Sequence, residues 1–246
     1  MASIIWLDTH TPFPDPAQAM PEGLLAAGTD LSVERLESAY RQGIFPWFNP
    51  GEPVLWWSPD PRMVLQTRAL HLSHSLAKKL RQIARREHEE NPPVRIMLNT
   101  AFRQVIQGCA DTRSTQGGTW IVPAMQQVYH DWHLAGRAHS IETWINGTLA
   151  GGLYGVQLGR FFFGESMFSR HTDASKIALV YLVRFLQAQG IEHIDCQQET
   201  GHLHSLGARP IPRSQFLGLL RDTMTHPDLH WTHGQLLHDG TLRTTA

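Results

Sequence analysis

Three polar residues lie where the sequence could place chemistry at the ends of strands. Asp195 falls near the end of the apolar run 191–196, which is typical of a buried strand, and Gln197 follows two residues later on the same face if the strand continues. Strand ends in α/β architectures open onto ligand crevices, where a carboxylate and a carboxamide can orient a nucleophile and hold its proton. Glu165, at the end of a neighbouring predicted strand, would face the same crevice. Asp195 is also compatible with a structural role, and Glu165 with a helix cap or an ion pair.

The elements that position these residues follow from the spacing of apolar residues. That spacing predicts helices on both sides of a three-strand meander. Asn146-Gly147 is a strong hairpin signal inside the meander, and Asp173 is a candidate helix N-cap. The helices are predicted over residues 72–86, 101–111, 123–135 and 174–189. The strands are predicted over residues 139–145, 148–158, 161–164 and 191–196, with the last strand parallel to its neighbour.

The order of these elements matches the core of GNAT acyltransferases. Prolines recur through the first sixty residues, so long regular elements are not expected there, apart from a short helix that Ser32 can cap. We therefore predict an α+β protein. A small N-terminal domain over residues 1–61 would precede a GNAT-like acyltransferase domain, a mixed sheet with flanking helices, over residues 62–246. The tail from Pro227 onward is expected to be peripheral or frayed.

The loop over residues 165–176 bears on the acyl donor. An acyl-CoA enzyme of this fold needs a glycine-rich loop here, because backbone N–H groups must close around a pyrophosphate. This stretch contains no glycine, and its carboxylates Glu165 and Asp173 would repel a pyrophosphate. A donor other than coenzyme A is therefore favoured, and a CoA-dependent N-acyltransferase of similar fold stays as an alternative.

Composition and charge set wider limits. With 246 residues, of which 41% are hydrophobic and 17% charged, the chain can bury a full core. Its apolar runs are too short for a membrane helix, its N-terminus lacks a signal-peptide pattern, and two cysteines are too few for a disulfide framework, so we expect a cytoplasmic protein. The net charge is −1, yet residues 62–86 hold seven Lys or Arg residues and no Asp or Glu. Such segregation is typical of a surface that meets phosphates, and also of a solvated helix face.

Eleven short strings, in order along the chain, carry a resemblance to a known family. They are GLLAAGTDLS (23–32), AYRQGIFPWF (39–48), LWWSPDPR (55–62), GTWI (118–121), AHSIETW (138–144), GGLYGV (151–156), FFGESMFSR (162–170), DASKIAL (173–179), IDCQ (194–197), HLHSLGA (202–208) and IPR (211–213). The chain resembles the bacterial leucyl/phenylalanyl-tRNA–protein transferases. The resemblance implies transfer of Leu or Phe, with Met as a further candidate, from aminoacyl-tRNA to the N-terminal Arg or Lys of a protein. Such a tag marks the acceptor for N-end-rule degradation.

The resemblance also implies roles for individual residues. Asp195 and Gln197 become the catalytic pair that orients the attacking α-amine, and Glu165 becomes the group that binds the cationic acceptor. The aminoacyl side chain would occupy an apolar pocket, although each of its residues is also compatible with ordinary core: Leu153, Phe162, Met167, Leu179, Leu182 and Ile194. Aromatic residues, for which core packing is the other interpretation, would surround the 3′-terminal adenosine: Tyr40, Trp47, Trp120 and Tyr129. Basic residues would contact the tRNA backbone: Arg62, Lys78, Lys79, Arg81, Arg85 and Arg86.

The sequence is compatible with two further interpretations. Fifteen histidines raise the question of a metal, especially His202 and His204 near the catalytic pair. No H-E-x-x-H or paired-cysteine motif occurs, so neither a metal nor another cofactor is expected. A noncatalytic RNA-binding protein is the third functional class. Two residues depart from the family pattern: Thr29, where the family usually has a second glycine, and His74, where an arginine is usual and one charge of the RNA face is lost.

Overall fold

The smaller of two β-sheets comes from the first sixty residues. The computed structural model describes residues 4–114 and 120–244, and for residues 113 and 114 only the backbone. The strands of this sheet are β1 (Ile5–Leu7), β2 (Leu24–Gly28), β3 (Phe45–Pro46) and β4 (Val54–Trp57), arranged in the order β1-β2-β4-β3. The predicted short helix is α1 (Val33–Tyr40), and Ser32 caps it by accepting a hydrogen bond from the backbone N–H of Arg35.

The larger sheet is mixed and has nine strands within the described residues. They are β5 (Arg62–Gln66), β6 (Val94–Leu98), β7 (Ala138–Ile145), β8 (Thr148–Leu158), β9 (Phe161–Ser169), β10 (His193–Gln197), β11 (Arg209–Ile211), β12 (Gly234–Leu236) and β13 (Leu242–Thr244). Their order is β11-β5-β10-β9-β8-β7-β6-β12-β13. Strands β7, β8 and β9 form the predicted antiparallel meander, and β10 runs parallel to β9 as predicted.

Helices flank the larger sheet. They are α2 (His74–Arg86), α3 (Phe102–Ser114), α4 (Pro123–Leu134), α5 (Ala174–Ala188), α6 (Gly201–Ser205) and α7 (Arg213–Met224). The four helices predicted from apolar spacing are α2 to α5, and α2 buries Leu76, Leu80 and Ile83 on one face as its pattern requires. The chain is therefore an α+β protein in which a small N-terminal unit precedes a mixed sheet with flanking helices.

Both faces of the larger sheet carry a hydrophobic cluster, because successive side chains of a strand point to opposite sides. On β9, Phe161 and Phe163 pack with α3, α4 and the smaller sheet, whereas Phe162 packs with α2 and α5. Trp56 of the smaller sheet belongs to the same cluster as Phe161, so a continuous core joins the N-terminal unit to the larger sheet. A domain boundary after residue 61 stays a prediction, and it falls between β4 and β5.

Two local predictions are confirmed only in part. Asp173 stands at the N-cap position of α5, as predicted, but its side chain makes no cap bond. Its carboxylate pairs with Lys79 Nζ at 2.7 Å, and Ser169 Oγ accepts a bond from Ser175 N at 2.9 Å. The tail is peripheral, because its strands form one edge of the larger sheet, but it is not frayed. Strand β12 pairs with β6, and Trp231 of the tail is buried. An unpaired edge of β6 would leave backbone groups without partners, and β12 supplies them.

Among the described helices, none combines the length and the apolar character that a membrane crossing requires.

Candidate active site

An apolar pocket opens where strands β9 and β10 part. Their parallel pairing ends at Phe163 and Asp195, while β9 continues to Ser169. The gap holds a cavity of about 400 Å³. All the residues predicted for the aminoacyl pocket line this cavity, although they come from four different elements: Leu153 of β8, Phe162 and Met167 of β9, Leu179 and Leu182 of α5, and Ile194 of β10.

A glycine in β8 shapes one wall of the pocket. Strand β8 has a register shift between Tyr154 and Gly155 where it pairs with β9. A Cβ atom at Gly155 would collide with the backbone carbonyl oxygen of Phe163 and would lie 2.5 Å from the ring of Phe162, so only glycine fits against the strand and this ring. The string GGLYGV thus has a local physical reason, since its last glycine makes room for a pocket residue.

Glu165 and Gln197 form the polar end of the pocket. Both line the cavity, and Gln197 Nε2 donates a hydrogen bond to Glu165 Oε1 at 3.1 Å. Glu165 is only 7% exposed. Burial raises the pKa of its carboxyl to about 7, although the hydrogen bonds it accepts act in the opposite direction. A carboxyl group with this pKa can exchange a proton with an amine at neutral pH.

Tyr40 and Tyr129 lie behind Glu165 rather than on the pocket wall. Each is at most 1% exposed, so the prediction that both stack on an adenosine does not fit this structure. The Tyr40 hydroxyl donates to Glu165 Oε1 at 2.6 Å, and the Tyr129 hydroxyl donates to Oε2 at 3.1 Å. Burial and the neighbouring carboxylate raise the pKa of both phenols, so they stay protonated. They hold Glu165 in place.

Asp195 is also buried behind the pocket, and the expectation that it shares a face with Gln197 is wrong. A register shift in β10 between these two residues breaks the alternation of side chains, and Gln197 has a left-handed backbone with φ +61°. Asp195 is fully buried and is bound at both oxygens by Arg62, with distances of 2.8 Å from Nε and 2.6 Å from Nη2. Arg62 is 1% exposed and cannot reach a phosphate, which corrects its assignment to the tRNA backbone.

Trp47 and Trp120 are the two predicted adenosine residues that do line the pocket. Trp47 exposes 38% of its surface. Its carbonyl accepts a hydrogen bond from Trp57 Nε1 at 2.7 Å, which fixes the backbone that carries the exposed ring. An exposed indole at a pocket mouth can stack on a base, because every base presents an aromatic face. Of the string GTWI, residues 118 and 119 lie outside the described residues.

Helix α2 presents the predicted cationic face. Lys79 and Arg86 on this helix are held by carboxylates, Lys79 by Asp173 at 2.7 Å and Arg86 by Glu89 at 2.9 Å. The Arg86 pair is exposed, and exposed pairs contribute little and can exchange partners, whereas the Lys79 pair is partly buried. Three further cations of the helix are exposed and form no ion pair with any residue that the structure describes: Lys78, Arg81 and Arg85. These three are the strongest candidates for contacts with phosphates.

His202 and His204 are the histidines that the sequence analysis considered as metal ligands. No group of three His, Cys, Asp or Glu side chains within the described residues is arranged to hold an ion. His204 Nε2 lies 2.7 Å from Glu199 Oε1 and thus has a partner of its own. His202 lines the pocket instead.

Part of the pocket wall escaped the sequence analysis. It comes from the end of β10, from α6 and from the residues before β11, and consists of Cys196, Thr200, His202, Leu203, Leu206 and Ala208. The string HLHSLGA marked this stretch without a structural reason. Its two leucines, three residues apart and therefore on one face of a helical turn, are the signal that could have identified a wall.

Comparison with known proteins identifies the family to which this arrangement belongs. Residues 64–221 match the profile described as "Leucyl/phenylalanyl-tRNA protein transferase", and residues 29–60 match the profile of the N-terminal domain of the same family. A leucyl/phenylalanyl-tRNA–protein transferase of Bordetella bronchiseptica is 57% identical over 239 residues, which are 96% of this chain and 94% of that protein. The protein of the same name from Nitrosomonas europaea is 60% identical over 212 residues, covering 85% and 86% of the two chains.

The chain also aligns with solved structures at low sequence identity. A GCN5-related N-acetyltransferase from Kribbella flavida aligns with a TM-score of 0.35 and 9% identity, covering 71% of this chain and 59% of that chain.

Proposed function

The chain belongs to the leucyl/phenylalanyl-tRNA–protein transferase family, and from this premise we propose that it moves Leu or Phe from aminoacyl-tRNA to the N-terminal Arg or Lys of proteins. It is an aminoacyltransferase. The observation that supports the proposed chemistry is the joining of an apolar cavity to a polar end made by Glu165 and Gln197. The acceptor would then become a substrate for N-end-rule degradation.

The donor side of the proposal rests on the apolar wall. A cavity of about 400 Å³ lined by aliphatic and aromatic side chains fits either Leu or Phe. Hydrophobic pockets discriminate weakly between apolar groups, and the flexible side chain of Met167 can adapt to both shapes. Trp47 and Trp120 at the same pocket would hold the 3′-terminal adenosine that carries the amino acid.

The acceptor side rests on Glu165. Its carboxylate would bind the α-ammonium group of the acceptor and take one proton from it, while the carboxamide of Gln197 orients the nitrogen. The nitrogen then forms a bond to the aminoacyl carbonyl carbon, and the ester C–O bond to the ribose breaks. The ribose oxygen leaves and takes up the proton that Glu165 had accepted, and the second proton that the nitrogen loses as the amide forms is released to solvent. The ester is already activated, and this sequence needs no cofactor.

The tRNA body would lie along α2. Lys78, Arg81 and Arg85 project from the exposed face of this helix, and phosphate contacts of this kind carry no sequence information. An enzyme that accepts tRNAs of two identities benefits from recognition of this type. Because aminoacyl-tRNA is a cytoplasmic substrate, we place the reaction in the cytoplasm.

One transfer assay tests the proposal. The protein is incubated with an Arg-initiated peptide and one labelled donor at a time: Leu-tRNA, Phe-tRNA or acetyl-CoA. We expect label on the peptide from the two aminoacyl-tRNAs and none from acetyl-CoA. An Ala-initiated peptide is the matched control and should stay unlabelled.

Other outcomes would contradict the proposal. Label from acetyl-CoA would indicate a CoA-dependent N-acyltransferase. Binding of tRNA without any transfer would indicate a noncatalytic RNA-binding protein. Equal labelling of both peptides would refute the proposed selectivity for an N-terminal Arg or Lys.

A further inference from the structure

Arg62 makes more interactions than a structural ion pair needs. Its guanidinium binds both oxygens of Asp195, and its third nitrogen, Nη1, donates to the carbonyl of Gly43 at 3.0 Å. The group lies over the rings of Phe45 and Phe216, at 4.8 Å and 4.5 Å from their centroids. All the nitrogens of the fork are therefore engaged inside the protein, a geometry that lysine cannot reproduce.

Asp195 transmits this geometry to the pocket. Its Oδ1 atom accepts a bond from Arg62 Nε and a second one, at 2.8 Å, from the backbone N–H of Gln197. Asp195 is fully buried and does not line the cavity. Its oxygens are thus directed to Arg62 and Gln197 and not to a bound substrate.

Gln197 is the residue that needs this support. Its φ of +61° lies in the left-handed region, which is unfavourable for a residue with a Cβ atom. The backbone bond to Asp195 holds this conformation, in which the carboxamide reaches Glu165 at 3.1 Å. Strand β5 supports this backbone in two ways. Met63 pairs with Gln197 opposite the register shift, and the guanidinium of Arg62 binds the carboxylate of Asp195.

We propose that Arg62 is a positioning residue for aminoacyl transfer. It holds Asp195, and Asp195 in turn holds the left-handed backbone of Gln197, so that the carboxamide points toward Glu165. Asp195 then acts through Gln197 and is not a base toward the substrate. This inference rests on the transfer reaction proposed above. It assigns the buried pair a function in the reaction that the charge pattern of the sequence did not suggest.

A double-mutant cycle tests the proposal. Arg62→Lys, Gln197→Ala and the double variant are compared in transfer of Leu from Leu-tRNA, with kcat and KM measured separately. We expect Arg62→Lys to lower kcat by about 10- to 100-fold and to leave the KM for Leu-tRNA within about threefold, because the donor contacts other surfaces. In the Gln197→Ala background, Arg62→Lys should not lower kcat any further, because Arg62 acts by positioning a carboxamide that this variant lacks.

A matched control separates positioning from stability. Arg35 is a second buried arginine, 7% exposed, that donates to the carbonyl of Thr11 at 2.8 Å and lies 4.0 Å from the ring centroid of Phe13. It does not line the pocket. Arg35→Lys should lower the unfolding temperature and leave kcat unchanged, whereas Arg62→Lys should lower kcat in samples that are folded by circular dichroism.

A second variant covers the case in which Arg62→Lys does not fold. Asp195→Asn keeps an oxygen that can accept the bond from the Gln197 N–H, so it should retain more activity than Asp195→Ala, and its loss should also vanish in the Gln197→Ala background. Losses that multiply in the double variants, or an Arg62→Lys protein with unchanged kcat, would refute the positioning role. A wild-type protein that transfers no Leu would refute the proposed function instead, so the two failures are distinguishable.

Discussion

Replacing Glu165 by Gln removes the only carboxyl group that lines the pocket among the described residues. Burial raises the pKa of Glu165 from its ordinary 4.5 to about 7, so ionisation falls about tenfold for each pH unit below 7. The acceptor's α-ammonium group loses its proton at about pH 7.7–8.0. If the reaction requires an ionised Glu165 and a protonated acceptor amine, kcat/KM for the acceptor should rise up to about pH 7 and fall above about pH 8.

The variant should have a different profile as well as a lower rate. Loss of a proton acceptor commonly costs 10²- to 10⁴-fold, roughly 3–5 kcal/mol of barrier. Without the carboxylate, only free amine can react, so the residual rate of Glu165→Gln should continue to rise until the acceptor is deprotonated near pH 8. The acid limb at about pH 7 should be absent.

Transfer of Leu to an Arg-initiated peptide, measured from pH 5.5 to 9, provides the test. Glu142→Gln is the matched control, because burial also raises the pKa of Glu142 to about 7 but this residue caps the start of α3 through Thr100 and Ala101. Its variant should keep the bell-shaped profile. Our assignment is wrong if the acid limb survives in Glu165→Gln, or if it disappears in Glu142→Gln.

Three further predictions concern tRNA binding, the pocket and stability. Neutralising Lys78 and Arg81 together should raise the KM for Leu-tRNA and leave kcat nearly unchanged, and it should reduce the salt slope of binding by up to about two phosphate contacts. Arg221→Gln on α7, the control, should change neither the KM nor the salt slope. Unchanged affinity and slope in the double variant would mean that this face of α2 is merely solvated. Leu153→Trp should fill the cavity and reduce transfer of Phe at least about tenfold more than transfer of Leu, and equal losses for both donors with a lower unfolding temperature would identify Leu153 as core. The wild-type Glu142 carboxyl keeps its proton to about pH 7 in the folded protein but releases it near pH 4.5 in the unfolded chain, so the free energy of unfolding decreases between pH 5 and pH 8. In Glu142→Gln this decrease should be about 1–3 kcal/mol smaller than in the wild type. Urea titrations at the two pH values measure it, and an equal decrease in both proteins would contradict the raised pKa.

Local signals in the sequence were enough for most of the elements. Ser32 caps α1 and Asn146-Gly147 joins β7 to β8 because caps and tight turns involve only a few neighbouring residues. The meander and the parallel strand after α5 follow in the same way from apolar spacing. The six residues predicted for an aminoacyl pocket came from the resemblance, and they do line one cavity.

Partners in space, in contrast, were decided only by the tertiary structure. Arg62 begins a run of seven cations and therefore looked like a surface residue, yet its partner Asp195 stands 133 positions away and meets it because β5 pairs with β10. Tyr40 and Tyr129 looked like stacking platforms, but the packing of α1 against α4 turns their hydroxyls to one buried carboxylate. Residue type and spacing determine which elements form, whereas the burial of a charge depends on the partner that the sheet order brings to it, because an unpaired charge cannot be buried at an acceptable cost.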